Sequence, residues 1–214
     1  MKKISVKQAT AALMLVYSVG IIGLLWPVSK PYFLLLTPLN LLLTLCLLLF
    51  YQENKNQIFW IVSVAVAALG FGSEVLGVHT GWPFGEYRYA SALGWKWGDV
   101  PLILAANWLI LILSTNNICQ TLHSNKAVRA ALAATLMVGL DTFIEPVAMR
   151  NDFWQWPNGV VATQNYVGWW VVAFGLQMLT ESLPFTKKNP LAWPVYGVLL
   201  YFFVVQCVAY RLGL

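Results

Sequence analysis

Apolar residues in this chain fall in long, nearly unbroken runs separated by short polar connections. That is neither the one-face spacing of a half-solvated helix nor the alternation of a half-buried strand. A run of about 20 apolar residues crosses a hydrocarbon core at the helical rise. Seven runs are read this way: Ala9–Trp26, Phe33–Tyr51, Ile58–Leu76, Val100–Ile118, Ala127–Ile144, Tyr166–Leu183 and Leu191–Tyr210. The pattern predicts an all-α, polytopic transmembrane helix bundle of about seven spans, a single integral-membrane domain over residues 1–214. The first run follows Lys2, Lys3 and Lys7 and so has the outline of a signal peptide. Trp26 and Pro27 stand where the small residues of a cleavage site belong, so a retained helix is expected.

Composition agrees: 59% of residues are hydrophobic and 10% charged, with a mean hydropathy of +0.68. Soluble domains carry about 25% charged residues. The cations give orientation. With the N-terminus inside, Lys2, Lys3, Lys7, Lys55, Lys126, Arg129, Lys187 and Lys188 face the cytoplasm. Lys30, Arg88, Lys96, Arg150 and Arg211 face out. Eight against five favours N-in and C-out in a cell (inner) membrane. The net charge of +5 is then a topology signal and an attraction to anionic lipid, since no basic cluster is dense enough for nucleic acid.

Several chemistries are excluded. Two histidines, His79 and His123, cannot build a multi-histidine di-iron site. Cys46, Cys119 and Cys207 lie on separate segments without paired spacing, which argues against zinc or a disulfide. No glycine-rich dinucleotide fingerprint follows a strand, and the last span has no lysine for a retinal Schiff base. No metal or redox cofactor is expected.

Two connections, Gly77 to Asp99 and Pro146 to Asn165, are longer than the rest and carry most of the unusual residues. Long connections in compact proteins are more often functional than decorative. The first stretch, GSEVLGVHTGWPFGEYRYA, places Glu74 at the end of the third span, where a carboxylate is costly unless paired or protonated. The second, DTFIEPVAMRNDFWQWPNG, puts Asp141 and Glu145 four residues apart, on one helix face. Pro146 disfavours helix at Glu145, which predicts a terminus or bend there. Two like charges close together in low dielectric do not both ionise easily, so one of the pair is expected to hold its proton. An ion pair with Arg150 or Arg88 is the structural alternative.

Six of the eight acids and eight of the 11 tryptophans lie toward the same side of the bundle. An interfacial aromatic belt would populate both interfaces. The asymmetry predicts an aromatic, acid-lined cavity open to lipid near that face.

The run Glu74, Gly77, Thr80, Gly81, Phe84, Gly85, Tyr87 and Tyr89, followed by Asp141, Glu145, Pro146, Trp154, Trp156, Asn165 and Trp169, resembles the integral-membrane carotenoid biosynthesis protein family. The resemblance covers roughly Ile58 to Thr180. It implies a carotenoid 1,2-hydratase, adding water to the terminal double bond of an acyclic end group, as in γ-carotene 1′-hydroxylation and bacterioruberin synthesis. A lipophilic carotenoid within the bilayer is the implied substrate, membrane lipid the surroundings, and other carotenoid enzymes possible partners.

The residues suit that chemistry. Hydrating a trisubstituted alkene needs a proton donor, shelter for a tertiary cation, and one admitted water. Asp141 is the first candidate donor and Glu145 the second, with Glu74 as the group that holds water and takes its proton. Trp154, Trp156 and Trp169 are candidate cage residues, with Phe84 and Tyr89 beside them; Thr80, Tyr87 and Asn165 are candidates to orient the water. Three other readings stay open: a cyclase using the same cation, a proton-coupled carrier, and a membrane prenyltransferase suggested by the Asp141 and Glu145 spacing.

Overall fold

The computed structural model describes residues 4–213. Lys2 and Lys3, counted above among the inner charges, lie outside the described residues. Seven helices account for the seven runs: α1 (Val6–Leu25), α2 (Lys30–Tyr51), α3 (Gln57–Thr80), α4 (Ile103–Cys119), α5 (Lys126–Arg150), α6 (Thr163–Ser182) and α7 (Ala192–Arg211). Among the described residues, α1, α2, α3, α5 and α7 are long and apolar enough to cross a membrane. Helix α4 is apolar but has only 17 residues. Helix α6 carries Asn165, Gln177, Thr180 and Glu181 on its buried face, which lowers its mean apolarity without showing those groups to lipid.

A helix that is apolar all round belongs inside a bundle. Helix α4 is that element, buried along nearly its whole length and packed by α2, α3, α5, α6 and α7. Leu15, Leu35, Leu39, Ile61 and Val64 face outward from α1, α2 and α3. Alternate helices begin with side chains that satisfy otherwise unpaired backbone N–H groups. Ser5 and Gln8 form a reciprocal box at α1, Asn56 accepts from Phe59 N at α3 (2.9 Å), and Asn125 accepts from Ala127 N at α5 (2.8 Å).

Two helix ends depart from the sequence expectation. Helix α3 continues one turn past Leu76 to Thr80, where Gly81 adopts a left-handed φ of 72° and returns its N–H to Gly77 O. Glu74 therefore lies inside the helix rather than at its end. Helix α5 runs through Pro146 to Arg150, so Glu145 does not stand at the helix terminus that was one of its two expected settings. Proline removes one N–H from the ladder. Burial of Val147 and Ala148 offsets that loss, and the carbonyls of both are capped by Asn151 Nδ2 (3.0 Å) and Phe153 N (2.9 Å).

The connections after α3 and α5 fold onto the bundle end as short strands: β1 (Arg88–Tyr89), β2 (Lys96–Trp97), β3 (Val100–Pro101) and β4 (Trp154–Gln155). Strands β2 and β3 form a local hairpin. Strand β1 pairs antiparallel with β4, setting Arg88 opposite Gln155 and Tyr89 opposite Trp154. This ladder, extended by Ala90 N donating to Phe153 O (3.0 Å), ties the two long connections together.

Docking of the first connection requires bare backbone on α6: a Cβ at Gly168 would lie 2.4 Å from Pro83 O. At the opposite end of the bundle, buried Glu181 locks three helices. Its Oε2 accepts from Arg129 Nη2 (2.5 Å) and Nε (3.1 Å), and its Oε1 from Asn116 Nδ2 (2.9 Å) and from Gln120.

Gly168→Ala is expected to lower stability by about 1–3 kcal/mol, the usual cost of overpacking against a part that must shift. Gly175→Ala, with nothing within 4 Å of the added carbon, is expected to be neutral or stabilising. Thermal unfolding of both variants in detergent checks the contrast.

Candidate active site

At the end of the bundle where α3 and α5 finish, Glu74, Asp141 and Glu145 are each 2% exposed or less. They line one small cavity of about 20 Å³, together with Tyr87, Tyr89, Trp154, Trp156, Asn165 and Trp169. That volume accommodates roughly one water molecule. All three predicted acids and six of the eight predicted accompanying residues thus converge.

Each carboxyl is set by a different element. Glu74 projects from α3. Asp141 and Glu145 stand one turn apart on the same face of α5, as their spacing predicts. A carboxyl buried in an apolar bundle requires hydrogen-bond donors, and the folded-in connections supply them. Glu74 Oε2 accepts from Tyr87 OH (2.5 Å) and Tyr89 OH (2.8 Å), and Oε1 from Trp108 Nε1 (3.0 Å). Glu145 Oε2 accepts from Trp154 Nε1 (2.9 Å) and Trp156 Nε1 (2.8 Å). Asn165 Nδ2, from α6, bridges Glu145 Oε1 (2.9 Å) and Asp141 Oδ2 (3.1 Å). Burial and the adjacent Glu74 hold the Tyr87 and Tyr89 hydroxyls well above the ordinary tyrosine range, so both remain proton-bearing donors.

These donors are neutral indole, phenol and amide groups, in place of the ion pair considered from sequence. Arg88 is exposed on β1, opposite Gln155, and Arg150 lies over the Tyr210 ring at 4.6 Å. The β1–β4 ladder places the Tyr89 and Trp154 rings 5.8 Å apart, and the Tyr87 and Trp156 rings lie 5.1 Å apart. Trp169 stacks on Trp108 at 4.4 Å. The Tyr87, Tyr89, Trp108, Trp154 and Trp156 rings thus turn their polar edges to the acids, and Trp169 adds a ring face. Among the described residues, no three His, Cys, Asp or Glu side chains group as a metal site would require.

Two predicted residues are placed elsewhere. Thr80 is exposed; its Oγ1 donates to Leu76 O (2.7 Å) and accepts from Trp82 N (3.1 Å), so it finishes α3 and does not reach the cavity. Phe84 is buried behind the wall, 6.3 Å from both the Trp169 and Tyr87 rings, where Gly77 leaves it room. The other acids of that side, Glu86, Asp99 and Asp152, are exposed.

Two residues escaped the sequence reading. Trp108, in the middle of α4, reads as a core residue, although a fully buried indole N–H needs an acceptor. Asn107 beside it belongs to two cavities at once. The second cavity is apolar and much larger, about 470 Å³. Tyr17, Leu24, Phe33, Leu41, Leu140 and Phe202 are among its walls, and it shares Leu104, Asn107, Ile144 and Trp154 with the acid cavity. Leu15, Val19 and Leu36 line it from α1 and α2 and are themselves exposed, so it reaches the outer face of the bundle between those helices.

An all-α bundle of membrane character holding buried acids beside an apolar cavity is the setting for the comparisons with known proteins. The chain belongs to the family described as carotenoid biosynthesis protein, whose model matches residues 31–212. It is similar to the bisanhydrobacterioruberin hydratase of Haloarcula japonica, with 32% identity over 149 residues, covering 65% of this chain and 50% of that protein. The chain spans about half the length of this curated relative. No solved structure is significantly similar to it.

Asn165→Leu removes the amide shared by Asp141 and Glu145. Leaving buried carboxyl oxygens without that donor is expected to cost about 1–3 kcal/mol. The thermal midpoint in detergent should fall accordingly; an unchanged midpoint would mean that other groups satisfy both acids.

Proposed function

We propose that this protein is a carotenoid-modifying enzyme that hydrates the terminal double bond of an acyclic carotenoid end group. The observation that carries this reading is the junction of a one-water, three-acid cavity with a large apolar cavity that reaches the lipid face. Membership of the carotenoid biosynthesis family and similarity to a protein named as a hydratase support the same substrate class. In this reading the end group lies at the wall shared through Leu104, Asn107, Ile144 and Trp154. The adjoining polyene occupies the apolar cavity and continues toward the bilayer between α1 and α2.

Asp141 is the proton donor. Glu74 accepts three hydrogen bonds, a setting that suits the carboxylate that takes a proton from water, whereas Asp141 accepts one, from Asn165. The Asp141 proton passes to the less substituted alkene carbon, and the π electrons form the new C–H bond. The tertiary cation that results lies among Trp154, Trp156 and Trp169, whose ring faces stabilise positive charge. Water attacks the cationic carbon and gives its proton to Glu74. Return of that proton to Asp141 resets the site, so substrate and one water are consumed for each product. The step as written needs no metal, oxidant or nucleotide.

Asn107 orients the water at the point where the two cavities meet. Its amide combines donor and acceptor at a wall that is otherwise apolar, so it keeps water beside the cationic carbon and favours capture by that water over loss of a proton from the neighbouring carbon. Tyr87 and Asn165 act by fixing the carboxylates.

The test is pigment analysis, by chromatography with mass detection, of a host that makes lycopene or γ-carotene and expresses this chain. A product heavier by one water is expected. Asp141→Asn should lower its formation by about 10²–10⁴-fold, the usual contribution of a general acid. An isomer of unchanged mass would instead indicate a cyclase, and unchanged pigment from folded protein would reject both readings. Asn107→Leu is expected to keep substrate consumption but divert product from the hydrated form to isomers of unchanged mass; an unaltered product ratio would remove Asn107 from the role of water holder.

A further inference from the structure

The end of the bundle remote from the acids contains a separate polar cavity of about 600 Å³. It lies between the turn that joins α4 to α5, the first turn of α5, and the segment after α6. Lys126, Arg129, Lys187 and Lys188 line it, with Glu181 as its acid. Glu181 does not neutralise the lysines, because its oxygens are already taken by Arg129, Asn116 and Gln120. Arg129 is equally committed: its Nη1 also donates to His123 O (3.0 Å) and Ser124 O (2.7 Å). The pair of half-buried Arg129 and buried Glu181 fixes one wall and leaves Lys126 and Lys187 as the cations available to a ligand. Lys188 points to Glu53, at 3.2 Å.

Lys187 is held in place. Its carbonyl accepts from Asn117 Nδ2 (2.7 Å), and its ammonium lies over the Phe185 ring at 4.2 Å while donating to Leu183 O (2.8 Å). Burial lowers its proton affinity, Glu181 partly restores it, and Lys126 and Arg129 lower it again. A fold that pins a partly buried ammonium close to other cations leaves a local excess of positive charge. An anion between Lys126 and Lys187 relieves that excess. The rim carries Leu183, Pro184 and Phe185, and the cavity opens at the start of α5, a helix long and apolar enough to cross a membrane, and so at the depth where lipid headgroups lie.

We propose that this cavity binds the phosphate of an anionic lipid headgroup, with Lys126 and Lys187 as its contacts and the apolar rim against the start of the acyl chains. The site is independent of the acid cavity and of the reaction assigned to it. It gives the bundle a fixed lipid at the end opposite the chemistry.

Native mass spectrometry of the protein released from nanodiscs containing equal phosphatidylglycerol and phosphatidylcholine tests this directly. Retention of phosphatidylglycerol over phosphatidylcholine is expected. Lys126→Gln and Lys187→Gln should each reduce that preference about fivefold, the factor corresponding to one lysine at an anionic surface. Lys55→Gln, a cation outside this cavity, should not change it. Equal loss in all three variants would overturn the site in favour of diffuse surface charge, and equal retention of both lipids by the native protein would overturn it outright. Inorganic phosphate alone distinguishes the other source of the same chemistry. Thermal stabilisation by phosphate that is lost in Lys187→Gln, without lipid preference, would reassign the cavity to a soluble anion. Unchanged thermal midpoints of the variants in detergent without anionic lipid separate loss of binding from loss of folding.

Discussion

A carboxyl group buried in an apolar bundle loses its water and must find donors within the protein. At the site end of this molecule that requirement arises three times around one small cavity, at Glu74 on α3 and at Asp141 and Glu145 on α5. The helices that bear these acids do not supply the donors themselves. They come from Tyr87, Tyr89, Trp154 and Trp156 on the connecting segments, and from Trp108 and Asn165 on α4 and α6. The fold of the two long connections follows from this. Their short strands pair because the aromatic side chains beside and within them must turn inward together, and Gly77 and Gly168 leave the space for them to do so.

The same arrangement divides the interior into two environments. The acid cavity is narrow and rich in hydrogen bonds; the apolar cavity beside it is wide and reaches the outer face between α1 and α2. Tryptophan suits the boundary because one side chain presents an N–H to a carboxylate and an apolar ring face to a lipophilic ligand. Trp154 occupies both walls in this way, giving its Nε1 to Glu145 while lining the apolar cavity. In the proposed function the apolar cavity holds the polyene and the acids act on its end.

The opposite end solves the burial problem differently. There the one buried acid, Glu181, is met by a guanidinium and two amides, so the charge of that carboxylate is matched by Arg129. A buried pair of this kind fixes register between helices, since losing either partner strands the other in low dielectric. Neutral donors at one end and a guanidinium at the other thus distinguish the three clustered carboxyls from Glu181, which is committed to structure.

Much of this was legible in the chain. The long apolar runs determined seven helices and the membrane as solvent, because run length alone sets what can cross hydrocarbon. The Asp141 and Glu145 spacing determined a shared face through the helical repeat, and the one-sided gathering of acids and tryptophans marked the end of the bundle that carries the cavity. Helix continuation through Pro146 was not legible, because the burial of Val147 and Ala148 depends on helices distant in sequence. Nor was the division of the aromatic residues: Thr80 and Phe84 sit in the same stretch as Tyr87 and Tyr89, yet one closes a helix and the other packs behind the wall. Trp108 and Asn107 carry no local signal, for their roles depend on what α3 and the apolar cavity place beside them. The helical repeat thus determined that Asp141 and Glu145 share a face. Only the packing of separate segments decided that Glu181 is buried, that Glu86, Asp99 and Asp152 are not, and which donors reach the buried acids, because a hydrogen bond is a condition on distance and direction that a linear pattern does not contain.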